Sequence, residues 1–499
     1  MCILGLDIGS SGCKATIVDS DGEVVAQAGR LYATCSPQPG YYEMDPNEVW
    51  QSVQRVIVDV LAQHHKSPIT AIGISSFGEA VVPLDCNGEV LANSLTYMDA
   101  RGGQEANKLA DLLGAERIYH LTGCSVHPMH SICKIMWMKE HDPAMFSRVW
   151  KFLSFSDYIL FKLGAEACTD YSLAARTMAF DITNKCWSEE ILEAAGLNAG
   201  LFGQPVQSGT LVGTIEAGIA AQLGLPSQVL LVAGGHDQTC AALGAGVIGS
   251  GIAVDGLGTT ECITPVFDHP ILTKEMAESS YACVPHVLPN KYVTYGFTFS
   301  SGSLLTWYLD HWGQSITEEA ARTSSNRYER FIQLASADPS PLFVLPHWAG
   351  AATPYMDVEA TGAIIGLNLA STAADIMKAI LEGITFEMMV NVERMEHLGI
   401  AIHELRAVGG LANSDAYLQL KADMMGKVVS SLHIGEAGTL GVAILAGKAA
   451  GLFHTHEEAV NRLVKVKQAF YPDAARRQFY LERFNQYKKL YPALKGLRG

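Results

Sequence analysis

Two short stretches, half a chain apart, constrain the fold more than anything else in the 499 residues. The first, "LGLDIGSSGCKATIVDSDGEVV" at 4–25, runs from an apolar segment through Asp7 into a turn of Gly and Ser, resumes as "CKATIVD" and turns again at "DSDG". Asp-Gly between such runs is a hairpin signal, so three successive antiparallel strands are predicted. The second, "GIAVDGLGTTECITPVF" at 251–267, repeats the plan: a strand meets one Gly and two hydroxyl residues, and another strand leaves. Gly258-Thr259-Thr260 stands 249 positions after Gly9-Ser10-Ser11. Helix and strand patterns alternate after each turn, which predicts two similar α/β domains facing a central cleft. The boundary is placed in the Gly-rich "LGAGVIGSG" near 244–251, giving domains of residues 1–246 and 247–499.

A hairpin needs neither an Asp at its strand end nor two hydroxyls and glycines that leave successive backbone N–H groups bare. Such a turn suits phosphate oxygens. Two of them, one per domain, are expected to grip a nucleotide's phosphates, with Asp7 as a hard oxygen ligand for magnesium. "LLVAGGHDQTCAALGAG" at 230–246 adds a buried strand that ends in two Gly before His236-Asp237-Gln238 opens a helix. Asp237 there is placed to accept a proton from a hydroxyl, and its alternative role is an N-cap. His236 reads as structural. In "ELRAVGGLANSDAYLQLKADMMGKVV" at 404–429, Gly409 and Gly410 leave backbone open to a flat ring, Asn413 either caps a helix or bonds a nucleoside, and Ser414 reads as a cap. "DPNEVWQSVQ" predicts a helix capped by Asp45, with Pro46 first and Glu48 as capping-box partner.

Several classes are excluded. A net charge of -16 speaks against a nucleic-acid or anionic-membrane binder. No 18-residue apolar run and no secretory signal are seen, and the 11 scattered Cys without a C-x-x-C fit reduced thiols in the cytoplasm. The G-x-G-x-x-G of Gly244, Gly246 and Gly249 trails a helix instead of opening one, so a dinucleotide fold is rejected, and no P-loop motif occurs.

With these pieces in order, the chain resembles the FGGY carbohydrate kinases of the actin and hexokinase ATPase superfamily. One signature is carried by "MHSICKIMWMKEH" at 129–141, with Met129, Ser131, Lys134, Trp137, Glu140 and His141 in register. The other is carried by "GAIIGLNLASTAADIMKAILEG" at 362–383, with Gly362, Gly366, Leu367, Asp375, Glu382 and Gly383. The resemblance implies two actin-like (ribonuclease H-like) α/β domains, ATP and Mg2+ as cofactors, and a homodimer. It also implies roles. Asp237 is the general base toward a sugar or polyol hydroxyl, and Asp7 assists the metal. Gly9, Ser10, Ser11 and Lys14, with Gly258, Thr259 and Thr260, hold phosphates, while Gly409, Gly410 and Asn413 carry adenosine.

The substrate side departs from its relatives. The loop "SSFGEA" at 75–80 lacks the Met-His pair of xylulose kinases and keeps only Glu79 of the Arg-Glu pair of glycerol kinases. Gly78 in place of that Arg predicts extra room, hence a ketose or polyol of four to six carbons contacted by Glu79, Tyr97, Asp99, Asp237 and Gln238. Gly350-Ala351-Ala352 stands where the family usually has Gly-Glu-Arg. The competing readings are a polyol kinase of glycerol or erythritol type, a chaperone-type ATPase, and an idle sugar-binding regulator. The last segment, from Ala474, reads as an exposed amphipathic helix.

Overall fold

The computed structural model describes residues 1–64, 67–433 and 436–497. Its first sheet is built from β1 (Cys2–Ile8), β2 (Gly12–Asp19), β3 (Val24–Leu31), β4 (Ile69–Ser76), β5 (Leu211–Thr214) and β6 (Leu230–His236). The spatial order is β5-β6-β4-β1-β2-β3. β1, β4 and β6 run parallel in the middle, and both margins are antiparallel. The three-strand meander expected from the opening stretch is present, in the register Asp7 opposite Lys14. β1 and β4 read as near-continuous apolar runs because both of their faces are covered.

The second sheet uses the same plan. β7 (Gly251–Leu257), β8 (Glu261–Phe267), β9 (Ile402–Val408), β10 (Val428–Leu432) and β11 (Val466–Phe470) lie in the order β8-β7-β9-β10-β11. β7, β9 and β10 are the parallel centre and β8 the antiparallel partner, so β7-β8 occupies the place of β1-β2. Two α/β units of actin-like, ribonuclease H-like type are therefore present.

The helices cover these sheets. α1 (Pro46–Ala62) is capped by Asp45 as expected, although the cap accepts from the Asn47 N–H at the second helical position, not from the third as in a capping box. α2 (Asp237–Gly244) follows β6 directly. The 25-residue α3 (Ala373–His397) crosses the second unit, and α4 (Asp415–Met425) is capped by Ser414 through the Tyr417 N–H.

α5 (Ala437–Ala449) lies late in the chain yet packs on the first sheet, with Leu440, Val442 and Leu445 in one apolar cluster with Ile3, Ala71 and Val232. α2 and α5 meet backbone to backbone: a Cβ on Gly244 would sit 1.8 Å from the Ala437 carbonyl oxygen, and one on Gly441 would sit 1.9 Å from that of Cys240. Only glycines allow that crossing.

α6 (Ala474–Tyr487), in the last segment, is docked, contrary to expectation. Tyr480, Phe484 and Tyr487 are buried, and the two hydroxyls donate to Glu382 and Glu387 inside α3. Its aromatic residues, more than its charges, decide where it sits.

Candidate active site

The C-terminal ends of β1, β4 and β6 open into one cavity of about 680 Å³. It gathers Asp7, Gly9, Ser10, Ser11, Lys14, Glu79, Tyr97, Asp237 and Gln238, residues far apart in sequence. Parallel strands leave their carboxyl ends without a covering crossover, which is where such sheets place sites.

The first turn is oriented by the segment that follows β3. Tyr32 Oη donates to the Gly9 carbonyl, Thr34 Oγ1 to that of Ser10, and the Tyr32 N–H to that of Ser11. With the three carbonyls taken, the Ser10 and Ser11 N–H groups have no acceptor among the described residues. Lys14 is already engaged: its ammonium lies 2.7 Å from Glu436 at the start of α5, and grasping a phosphate requires leaving that exposed pair.

Asp7 accepts from Ser75 Oγ at 2.7 Å. Burial pushes its carboxyl up despite that bond and the Lys14 charge, and Glu436 adds to the rise. Asp237, first residue of α2, accepts from the Gln238 N–H at 2.6 Å and lies 3.2 Å from His236 Nε2, both through Oδ1. Burial first, then the charges of Asp7 and Glu79, push its carboxyl up to about 8. His236 is neutral: burial and the nearby Arg176 hold it well below the usual histidine range. The cavity therefore holds acids at its floor, and the cations that line it, Lys14 and Arg30, are already paired with Glu436 and Asp59, a setting suited to a divalent metal and to a base poised near neutrality.

Two expectations are corrected. Asp99 is no substrate contact: its side chain is fully buried, and Arg101 and the Tyr42 N–H take up its oxygens. Burial opposes its charge, but these donors outweigh it and hold the carboxyl below the usual range. Lys134 of the first signature donates to the carbonyls of Asp99 and Arg101, so that signature fastens this loop.

Gly78 provides no extra room either. A Cβ there would meet Arg176 Cγ at 2.9 Å and His236 Cδ2 at 3.1 Å. Arg176 also donates to Oε1 of Glu79 inside the protein, so Glu79 has a guanidinium partner without an Arg at position 78. Sequence reasoning missed Arg176 because the pair spans 97 residues and nothing local announces it.

The second turn lies at the end of β7. Its Gly258 and Thr259 carbonyls accept from the N–H groups of Gly302, Ser301 and Ser303, leaving the Thr259 and Thr260 N–H groups without an acceptor among the described residues. Gly409 sits beside it with φ +97°, and a Cβ there would lie 2.6 Å from the Leu257 carbonyl oxygen. Gly258, Thr259, Thr260, Gly409, Gly410 and Asn413 are all exposed, and none lines the cavity of the first half. Asn413 Nδ2 donates to the Gly410 carbonyl.

Residues 2–244 match the N-terminal domain, and residues 256–450 the C-terminal domain, of the FGGY family of carbohydrate kinases. The chain belongs to that family. A xylulose kinase of Bacillus subtilis (strain 168) is 28% identical, covering 99% of this chain and 97% of its own. A glycerol kinase of Petrotoga mobilis is 29% identical, covering 92% of each chain. The structure of a ligand-bound xylulose kinase from Lactobacillus acidophilus superimposes with a TM-score of 0.89 at 25% identity, over 99% of this kinase and 98% of its own chain. Among the described residues no helix is long and apolar enough to cross a membrane.

Proposed function

We propose that this kinase transfers the γ-phosphoryl group of ATP to a hydroxyl of a small ketose of the xylulose type, with Asp237 as the general base. The observation that carries the reading is the meeting of Asp237, Asp7 and the bare N–H groups of the first turn in one cavity. Oδ1 of Asp237 already has two partners, so Oδ2 receives the substrate proton. As the substrate oxygen bonds to the γ-phosphorus, the bond to the leaving ADP oxygen breaks and the proton rests on Oδ2. Such transfer depends on positioning and on stabilising charge.

Ser10 and Ser11 of one turn, and Thr259 and Thr260 of the other, hold the phosphates. Lys14 joins them on leaving Glu436, and Gly409, Gly410 and Asn413 carry the adenosine. Asp7 holds magnesium, which supplies countercharge to the phosphates when bound. One hard carboxylate is what that ion takes when phosphate oxygens and water complete its shell. Glu79, fixed by Arg176, reads substrate hydroxyls together with Tyr97 and Gln238. A polyol of glycerol or erythritol type is the second reading, favoured by Glu79, the kept member of the glycerol kinase Arg-Glu pair. Domains of residues 1–246 and 247–499, a cytoplasmic location and a homodimer complete the proposal.

The test is ADP release with magnesium and ATP against xylulose, ribulose, fuculose, erythritol, glycerol and gluconate. A strong response to a ketose is expected. A response to glycerol or erythritol alone selects the second reading, and release that no carbohydrate stimulates contradicts both.

A further inference from the structure

The base has a support that crosses from one half of the molecule to the other. His236 is buried, with Nε2 3.2 Å from Asp237 Oδ1 and Nδ1 3.2 Å from Tyr295 Oη. Tyr295 belongs to the second half. It directly precedes the strand Gly296–Thr298, which pairs with Glu261–Ile263, the residues that follow the second phosphate turn.

Chemistry fixes the direction of each bond. Nε2 stands 3.2 Å from Asp237 Oδ1 without the alignment of a full hydrogen bond. Beside the ionised form in which Asp237 acts as base, the carboxylate only accepts, so a neutral ring turns its N–H and not its lone pair to that oxygen. A neutral imidazole carries one N–H, so Nδ1 is bare and accepts the tyrosine O–H. The backbone is fastened as well: the His236 N–H donates to Ser172 Oγ, and Ser172 Oγ donates to the buried Asp170.

We propose that His236 is the positioning residue of the base, holding Asp237 Oδ1 so that Oδ2 faces the substrate, with its tautomer set by Tyr295 of the opposite half. This inference rests on the reading of Asp237 as the base. It ties aim at the acceptor to the unit that carries the second phosphate turn, because separating the halves breaks the Tyr295–His236 bond.

The experiment measures kcat, KM and the pH dependence of kcat/KM for His236→Leu, His236→Gln, Tyr295→Phe and Asp237→Asn, using the carbohydrate found in the panel. Misplacing a reacting group, or removing an orienting partner, costs on the order of 10- to 100-fold. His236→Leu is expected to lower kcat by about that factor with KM within about threefold. His236→Gln retains an N–H donor and should recover part of the loss. Tyr295→Phe keeps the ring over Arg176 and removes one hydrogen bond, so a fall of about 2- to 10-fold is expected.

A carboxylate deprived of a donor also holds its proton more tightly, so the acid limb moves to higher pH in the His236→Leu variant. Asp7, Glu79, Asp170, Arg176, Tyr295, Cys240 and Cys262, the other titratable or charged groups around the pair, are unchanged in that variant. Normal kcat with an unmoved limb overturns the proposal, and so does a rise in KM at constant kcat. Should His236→Leu not fold, Tyr295→Phe decides alone, since it replaces no packing atom but the hydroxyl. Turnover surviving in Asp237→Asn would instead remove the base itself, which separates the two failures.

Discussion

The two turns of Gly and hydroxyl residues are built alike and placed over opposite electrostatics. In each, neighbouring donors take the carbonyls and leave two successive N–H groups bare. Beneath the second turn, Lys421 sits fully buried between Asp255, at 2.9 Å, and Glu261, whose other oxygen accepts from Ser301 Oγ. The acids there have a cation of their own. Around the first turn, Asp7 and Asp237 have hydroxyl, imidazole and amide partners, and the one nearby lysine is held by Glu436. One turn rests on a closed ion network, which suits holding; the other faces acids without a lysine of their own, which suits the proposed metal and proton roles.

Changes on either side should separate chemistry from grip. The largest effect is expected from Asp237→Asn, with a fall of about a thousandfold or more in kcat and unchanged ATP affinity by calorimetry, since an amide cannot accept the proton. Next comes Lys421→Met, which leaves two buried carboxylates without their cation. A loss of about 3–5 kcal/mol is expected from denaturant unfolding. Thr260→Gly, which loosens the second turn and spares the first, should raise KM for ATP a few-fold with kcat nearly constant. The smallest effect on stability belongs to Lys14→Met, below about 1 kcal/mol, because its ion pair is exposed.

The sequence carried much of this contrast, unevenly. Both turns were legible because Gly beside short hydroxyl residues between apolar runs has few other uses, and Asp237 because it stands where a buried strand gives way to a helix. What pairs with what was not legible. Gly78 looked like free space until Arg176 was found lying over it. Asp99 looked available until Arg101, two residues away, turned back onto it. α6 looked solvated because charged residues are spread along it, yet burial followed Tyr480, Phe484 and Tyr487. Gly78 and α6 were missed through partners distant in sequence and Asp99 through a near neighbour that folds back, and periodicity and spacing encode neither.

In the proposed mechanism, burial and the charges of Asp7 and Glu79 make Asp237 a base poised near neutral pH. The pH profile of kcat/KM at several magnesium concentrations tests this most directly. A base works in its ionised form, so activity rises with pH through its pKa and levels off above it. An acid limb with its midpoint near 8 is expected at low magnesium, set by burial and the charges of Asp7 and Glu79. That midpoint should move down as magnesium neutralises Asp7. A limb in the usual carboxylate range near 4 at every magnesium concentration would contradict it.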